Sequence, residues 1–244
     1  TMEIVAFNDP LIEENLSEAV KKNPDDMALR YKRARALFDA GKLVDAADEY
    51  KTVFEKVDRE ATFNGSSLFE RVGGELNACC LRLIDESLAR GDMKEALKYA
   101  ELGFEAAIDP TLKVRTAFAL ATIHDFAKNG VESVRAYRKV ISDIPGTMYD
   151  IGDGIQHSSH YYATARIGEL ITKYGRQCYA NFDEEAAKAG VAVLAGADEQ
   201  AHIAFYEKYP NSLAANKVMT HLAGIYEKSG RASMALVVYK NMAG

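Results

Sequence analysis

The chain has 244 residues, 48% of them hydrophobic and 27% charged, with a formal net charge of −6. That apolar content excludes a disordered chain, and the acidic balance, without a basic stripe, speaks against a nucleic-acid face or attachment to an anionic membrane surface. No apolar run approaches the roughly 20 residues needed to cross a bilayer, so direct membrane insertion is not expected. Thr1-Met2-Glu3-Ile4 lacks the basic and apolar regions of a signal peptide. Thr1 ahead of Met2 reads as an added residue, which leaves the compartment open between the cytoplasm and, with an upstream signal removed, the cell envelope or periplasm. The three cysteines, Cys79, Cys80 and Cys178, are odd in number and do not form a disulfide framework. They read as reduced, partly buried thiols in helices.

Taken in order, the first helix spans Pro10 to Lys22. Asp9 is placed to cap it and Pro10 suits its first position. Leu11, Ile12, Leu16, Ala19 and Val20 recur at helical spacing, and Asn23-Pro24 stops the helix. Residues 25–57 then hold two helices around Gly41, with Ala46-x-x-x-Tyr50 and Val53 on the second. Residues 58–74 read as an inserted loop, with turn signals at Asn64-Gly65 and Gly73-Gly74 and a helix beginning near Ser67. Residues 75–110 form the next pair, with Leu81, Ile84 and Leu88 before the turn at Gly91-Asp92 and Ala96-x-x-x-Ala100 after it.

Residues 111–144 are the least regular. Phe118, Ala121 and Ile123 mark one helix, and Val134, Tyr137, Val140 and Ile141 the next. The turn lies at Lys128-Asn129-Gly130, its glycine about two places late relative to Tyr137. Residues 145–157 read as a second inserted loop, and Ser158 or Ser159 caps the next helix. Residues 158–190 carry Ile167-Gly168-x-x-Ile171, Gly175 and Ala180-x-x-x-Glu184. Residues 191–211 are a linking segment with one short helix closed by Pro210. No convincing strand is found. The fold expected is all-α, a single domain of paired antiparallel helices, each pair exposing an apolar face that only its neighbours can cover.

The last unit, 212–244, is the most regular: Met219-x-x-Leu222-Ala223-x-x-Tyr226, then Gly230, then Ala235-x-x-x-Tyr239. This order of large, large, small and aromatic residues, a turn glycine and a small-x-x-x-aromatic pair resembles the tetratricopeptide repeat (TPR) family. The units 25–57, 75–110, 111–144 and 158–190 are similar to degenerate copies of it, and 1–24 to a half repeat. Arg30, Arg33, Ala34 and Leu37 then fall where the repeat has its large, large, small and large residues, and the two arginines are departures. The turn glycines Gly41, Gly91, Gly175 and Gly230 stand 50, 84 and 55 residues apart, wider than the ideal period of about 34. The resemblance therefore implies an irregular right-handed α-solenoid.

It also implies a non-catalytic scaffold that holds a peptide or partner domain in a groove lined by each first helix, with no cofactor and no metal. In the family's register the groove residues are Tyr31, Arg35, Phe38 and Asp39 in the first full unit. Tyr162, Glu169 and Lys173 come next in the fourth, and Lys217, Glu227 and Lys228 in the last. Tyr50, Tyr226 and Tyr239 read as core. A second resemblance, carried by Ala165-Arg166-Ile167-Gly168 through Tyr179-Ala180-x-Phe182 and by Tyr209-Pro210-Asn211-Ser212, is to helical segments of large bacterial proteins that adjoin a PQQ-binding-like β-propeller. It implies an accessory arm of a longer envelope protein, and the last unit ends before its closing proline falls due, as in a chain cut from something longer. A third reading is a metal-dependent enzyme using His157 and His160 with Asp150 and Asp153. Its weakness is the missing His-Glu-x-x-His register. His124, His202 and His221 read as packed or groove-facing side chains.

Overall fold

The computed structural model describes residues 10–150, 152 and 154–243, and the side chains from 14 to 242 among them. Asp9, the apolar side chains of Leu11 and Ile12, and Asp153 fall outside the described residues. Twelve α-helices carry the described chain. They are α1 Pro10–Lys22, α2 Met27–Asp39, α3 Leu43–Lys56, α4 Leu68–Ala89, α5 Met93–Ala106, α6 Pro110–Phe126, α7 Gly130–Asp143, α8 Ser159–Tyr174, α9 Ala180–Leu194, α10 Glu199–Lys208, α11 Leu213–Lys228 and α12 Ala232–Ala243. The fold is all-α, as the sequence predicts. The expectation of no strands is corrected by two small antiparallel ribbons: β1 Thr62–Phe63 pairs with β2 Ser66–Ser67, and β3 Met148–Asp150 with β4 Gln156–Ser158. The first is closed by Asn64 and Gly65, both with positive φ, the tight turn that two-residue hairpins need. The chain divides into two compact units, Thr1–Ile123 and His124–Gly244, and the division falls within α6.

One turn is used four times. At Gly41, Gly91 and Gly230 the helix ends on a residue with φ of +75°, +75° and +74°. In each case the next residue's N–H reaches back five positions: Lys42 to Leu37, Asp92 to Ser87, and Arg231 to Tyr226. This is the Schellman closure, which satisfies carbonyls that the helix leaves open. The fourth copy explains why residues 111–144 read poorly. Lys128, not Gly130, takes the left-handed position with φ +57°, and Asn129 N–H reaches back to His124. Gly130 is the first residue of α7, and a Cβ there would lie 2.6 Å from the Tyr174 ring. An L-residue in this conformation costs roughly 1–2 kcal/mol. Lys128→Gly is therefore expected to stabilise the chain by up to about 1 kcal/mol after the added freedom of the unfolded chain is subtracted. Thermal unfolding measures it, and a lowered midpoint would contradict the assignment.

In the first unit, α1 packs on α2, α2 on α3, α3 on α4 and α4 on α5. Helix α4 begins at Leu68 with the Ser67 hydroxyl accepting from Glu70 N–H, the start expected near Ser67, so residues 68–74, grouped with the inserted loop, are helix. Gly73 lies inside α4 because the chain crosses there: a Cβ would sit 2.7 Å from the Ala106 carbonyl oxygen. The two arginines at apolar positions are held by the neighbouring helix. Arg30 and Arg33 converge on Glu49 of α3, with N–O distances of 2.9 and 2.5 Å.

In the second unit, α8 ends at Gly175 and a 3-10 turn, Arg176–Tyr179, leads into α9. Helix α10 touches α7, α9 and α11, so the segment that reads as a linker is wedged among three helices. Met219, Leu222, Ala223, Tyr226, Ala235 and Val238 form one core between α11 and α12, which places both small residues of the motif at the helix contact. Tyr239 is corrected: it is 39% exposed, whereas its counterpart Tyr50 is 1% exposed. The difference lies in what covers the ring, since α4 packs over the α3 face that carries Tyr50.

Candidate functional site

Three of the four residues expected in the first groove meet in one place. Arg35, Phe38 and Asp39 of α2 line a cavity of about 200 Å³ with Tyr50, Glu75 and Ala78. They are spaced at i, i+3 and i+4, which puts them on one helix face. The Arg35 side chain is 41% exposed and its Nε lies 3.7 Å from Glu75 Oε2. The Arg82 guanidinium covers the Phe38 ring at 5.0 Å, a cation–π contact. Tyr31, the fourth, is corrected: it is fully buried. Its position falls one turn before Arg35, but its ring points into the core against Phe63, 5.2 Å away.

Glu75 is the residue that sequence reasoning missed. Its two carboxylate oxygens accept from the hydroxyls of Tyr31 and Tyr50, at 2.7 and 2.8 Å. Burial first, then the hydrogen bond to Glu75, pushes Tyr31 up to about 12. Burial and the Glu75 charge push Tyr50 up as well. The carboxylate thus anchors two buried hydroxyls on one side and faces Arg35 and the cavity on the other. No local signal marks it, because its partners lie 44 and 25 residues away.

The remaining groove residues are less gathered. On α8, Tyr162 is half-buried, and Glu169 and Lys173 are exposed. Glu169 pairs with Arg166. Lys173 donates to Asp125 at 2.8 Å, and Tyr174 donates to the same carboxylate oxygen at 2.7 Å. Burial works to raise the Asp125 carboxyl, but these two hydrogen bonds together outweigh it and hold the group below its usual range. Lys173 is therefore engaged by its own chain. On α11, Lys217, Glu227 and Lys228 are all exposed, and Glu227 lies 3.4 Å from the Tyr239 hydroxyl.

The histidine pair considered for a metal is split between elements: His157 belongs to β4, and α8 begins only at Ser159. The shared helix face is therefore absent. Among the described residues no group of three or more His, Cys, Asp or Glu is arranged to hold a metal ion. A different pair forms instead. His202 Nε2 lies 2.8 Å from His221 Nδ1, and His202 Nδ1 lies 2.6 Å from the Asp198 carbonyl oxygen. A carbonyl only accepts, so His202 carries a proton on Nδ1, and its Nε2 shares one hydrogen bond with His221 Nδ1. The rings stack at 5.1 Å. The two histidines are 19 residues apart on α10 and α11, which no motif anticipates.

All three cysteines are free and buried. Burial pushes the Cys79 and Cys80 thiols up to about 12, and burial also raises Cys178 despite Arg176 beside it. Arg176 is occupied by Asp183, at 2.7 and 2.6 Å. Thiolates are the reactive species, so the native chain is expected to resist a thiol reagent and to titrate as three thiols in denaturant. Rapid labelling of a folded sample would contradict this burial.

Set against known proteins, the chain matches no family model, and no curated protein matches it significantly.

Proposed function

We propose that the chain is a non-catalytic scaffold of tetratricopeptide-repeat type that binds a peptide or partner domain on the faces of its first helices. The observation that carries this reading is the cavity on α2 and α4, where Arg35, Phe38 and Asp39 stand side by side over the Glu75 carboxylate. A partly exposed cation, a half-buried aromatic ring and an exposed carboxylate within about one helical turn offer a partner three kinds of contact in one place. The Schellman turns at Gly41, Gly91 and Gly230 support the repeat reading, since each joins two helices that pack on one another.

The experiment is affinity capture with the intact chain, followed by Arg35→Gln and Phe38→Ala. Neither side chain is buried, so circular dichroism and the unfolding midpoint are expected to stay close to those of the parent. Capture of the identified partner is expected to fall by about ten-fold or more with each, the range of an interface anchor. Capture unchanged by both substitutions would remove the assignment.

A further inference from the structure

The second unit contains a cleft of about 690 Å³ at the end of α7, the start of α8 and the last turn of α10. Its lining includes three rings, His160, Tyr161 and Tyr206, and the apolar Ile141. Tyr161 is 76% exposed. Its ring meets His160 edge to face, with centroids 5.6 Å apart and planes at 82°, so the two form a corner. Tyr206 is half-buried and packs against the core between α11 and α12. Aromatic faces carry partial negative charge and attract cations. Elsewhere the chain covers such faces itself: Arg82 lies over Phe38, Arg59 over Phe69, Lys113 over Phe104 and Arg231 over Tyr226. Among the described residues no cation of the chain lies over Tyr161 or Tyr206.

The charges at the cleft favour the same kind of guest. Two charged side chains line it, Glu207 and Lys208. Lys208 is paired with Glu185, 3.8 Å away. Glu207 is exposed and, among the described residues, has no ion pair. His160 adds no charge near neutral pH, since burial pushes its imidazole below the ordinary value. Glu207 opposes that shift more strongly than Arg138 supports it, so the carboxylate is the stronger of the two charges at this wall. Arg138 is not part of the lining. It is only 4% exposed, and among the described residues no carboxylate pairs with it. Its Nη1 donates to the Lys208 carbonyl, and its guanidinium lies 5.1 Å from the Phe182 ring and 5.2 Å from the Tyr209 ring. A carbonyl and two rings therefore hold it.

We propose that this cleft binds a small organic monocation with an alkylated ammonium head, the head against Tyr161 and Tyr206, Glu207 as its counter-ion and its apolar remainder against Ile141. An alkylated ammonium suits aromatic walls, which recognise quaternary ammonium groups through the ring quadrupole. One carboxylate balances one positive charge. The cleft lies in a different unit from the α2–α4 cavity, so the inference stands apart from the scaffold reading.

The test uses the intact chain and reads binding by ligand-observed NMR or calorimetry. The probes are choline and the amide of acetyl-trimethyl-lysine, with neohexyl alcohol, in which carbon replaces the ammonium nitrogen of choline, as the neutral isostere. Saturable binding of at least one cation at millimolar concentration or below is expected, weakened by about ten-fold or more in the alcohol, as for loss of a cation–π contact and its counter-ion together. Tighter binding of choline assigns a free small molecule, and tighter binding of the lysine derivative a peptide side chain. Glu207→Gln is expected to weaken binding by about ten-fold, and Tyr161→Leu, which keeps apolar bulk but removes the ring, by about three- to ten-fold. Both positions are exposed, so the fold is expected to persist in each, which circular dichroism checks. Failure of both cations to bind, equal binding of neohexyl alcohol, or binding indifferent to both variants would each overturn the proposal.

Discussion

Replacing Glu75 by leucine is expected to destabilise the first unit by about 2–6 kcal/mol. Each of the two tyrosine hydroxyls it accepts from would be left buried without a partner, at roughly 1–3 kcal/mol apiece. Tyr31 and Tyr50 are 0% and 1% exposed, so water cannot take over from inside the fold. The cost arises from the orphaned donors and not from the lost carboxylate itself. Adding Tyr31→Phe and Tyr50→Phe to the leucine variant should therefore recover most of the loss, a strongly non-additive result expected of groups in one hydrogen-bond network. Urea unfolding of the single and triple variants measures both numbers. A single variant within about 0.5 kcal/mol of the parent, the scatter of ordinary surface changes, would show that the hydroxyls are served some other way.

Gly73→Ala should destabilise by about 1–3 kcal/mol, the usual cost of forcing extra carbon into a packed contact. The new Cβ would meet the Ala106 carbonyl oxygen at 2.7 Å, Ile108 Cδ1 at 3.0 Å and Phe54 Cε2 at 3.2 Å. The nearest of these is backbone and cannot swing aside. Its neighbour supplies the control. Gly74 sits in the same helix with nothing within 4 Å of its Cβ position, so Gly74→Ala should stabilise by about 0.5–1 kcal/mol through helix propensity alone. Opposite signs at adjacent glycines are the signature of a close helix crossing. The same sign at both would refute it.

These two positions also show where sequence reading stops. Gly73-Gly74 looks like a weak point because glycine is costly in a helix interior, and nothing local reveals that α5 passes within contact distance of one of them. Helix ends are more legible, because Gly41, Gly91 and Gly230 carry the left-handed conformation that closes each hairpin. Lys128 hides the fourth such turn by occupying it with a side chain. Within the candidate site, Arg35, Phe38 and Asp39 are placed by the register that the resemblance implies, but the same register turns Tyr31 toward the groove and it lies inward. Spacing gives the angle around a helix, while burial also depends on what packs above that face. Glu75, the His202–His221 pair and the unpaired Arg138 are products of tertiary neighbours far along the chain, so no window of sequence contains them.

The buried phenols set an alkaline limit on this protein. A phenol ionises near 10 when free, whereas burial holds Tyr31 and Tyr179 near 12 and Tyr50 higher. The folded chain keeps these protons while the unfolded chain releases them. Their contribution is intact below the unfolded value and drains away as the solution is taken from there toward the folded ones. Absorbance of phenolate during such a titration should therefore rise in two waves, solvent-facing rings first and these three together with loss of helix.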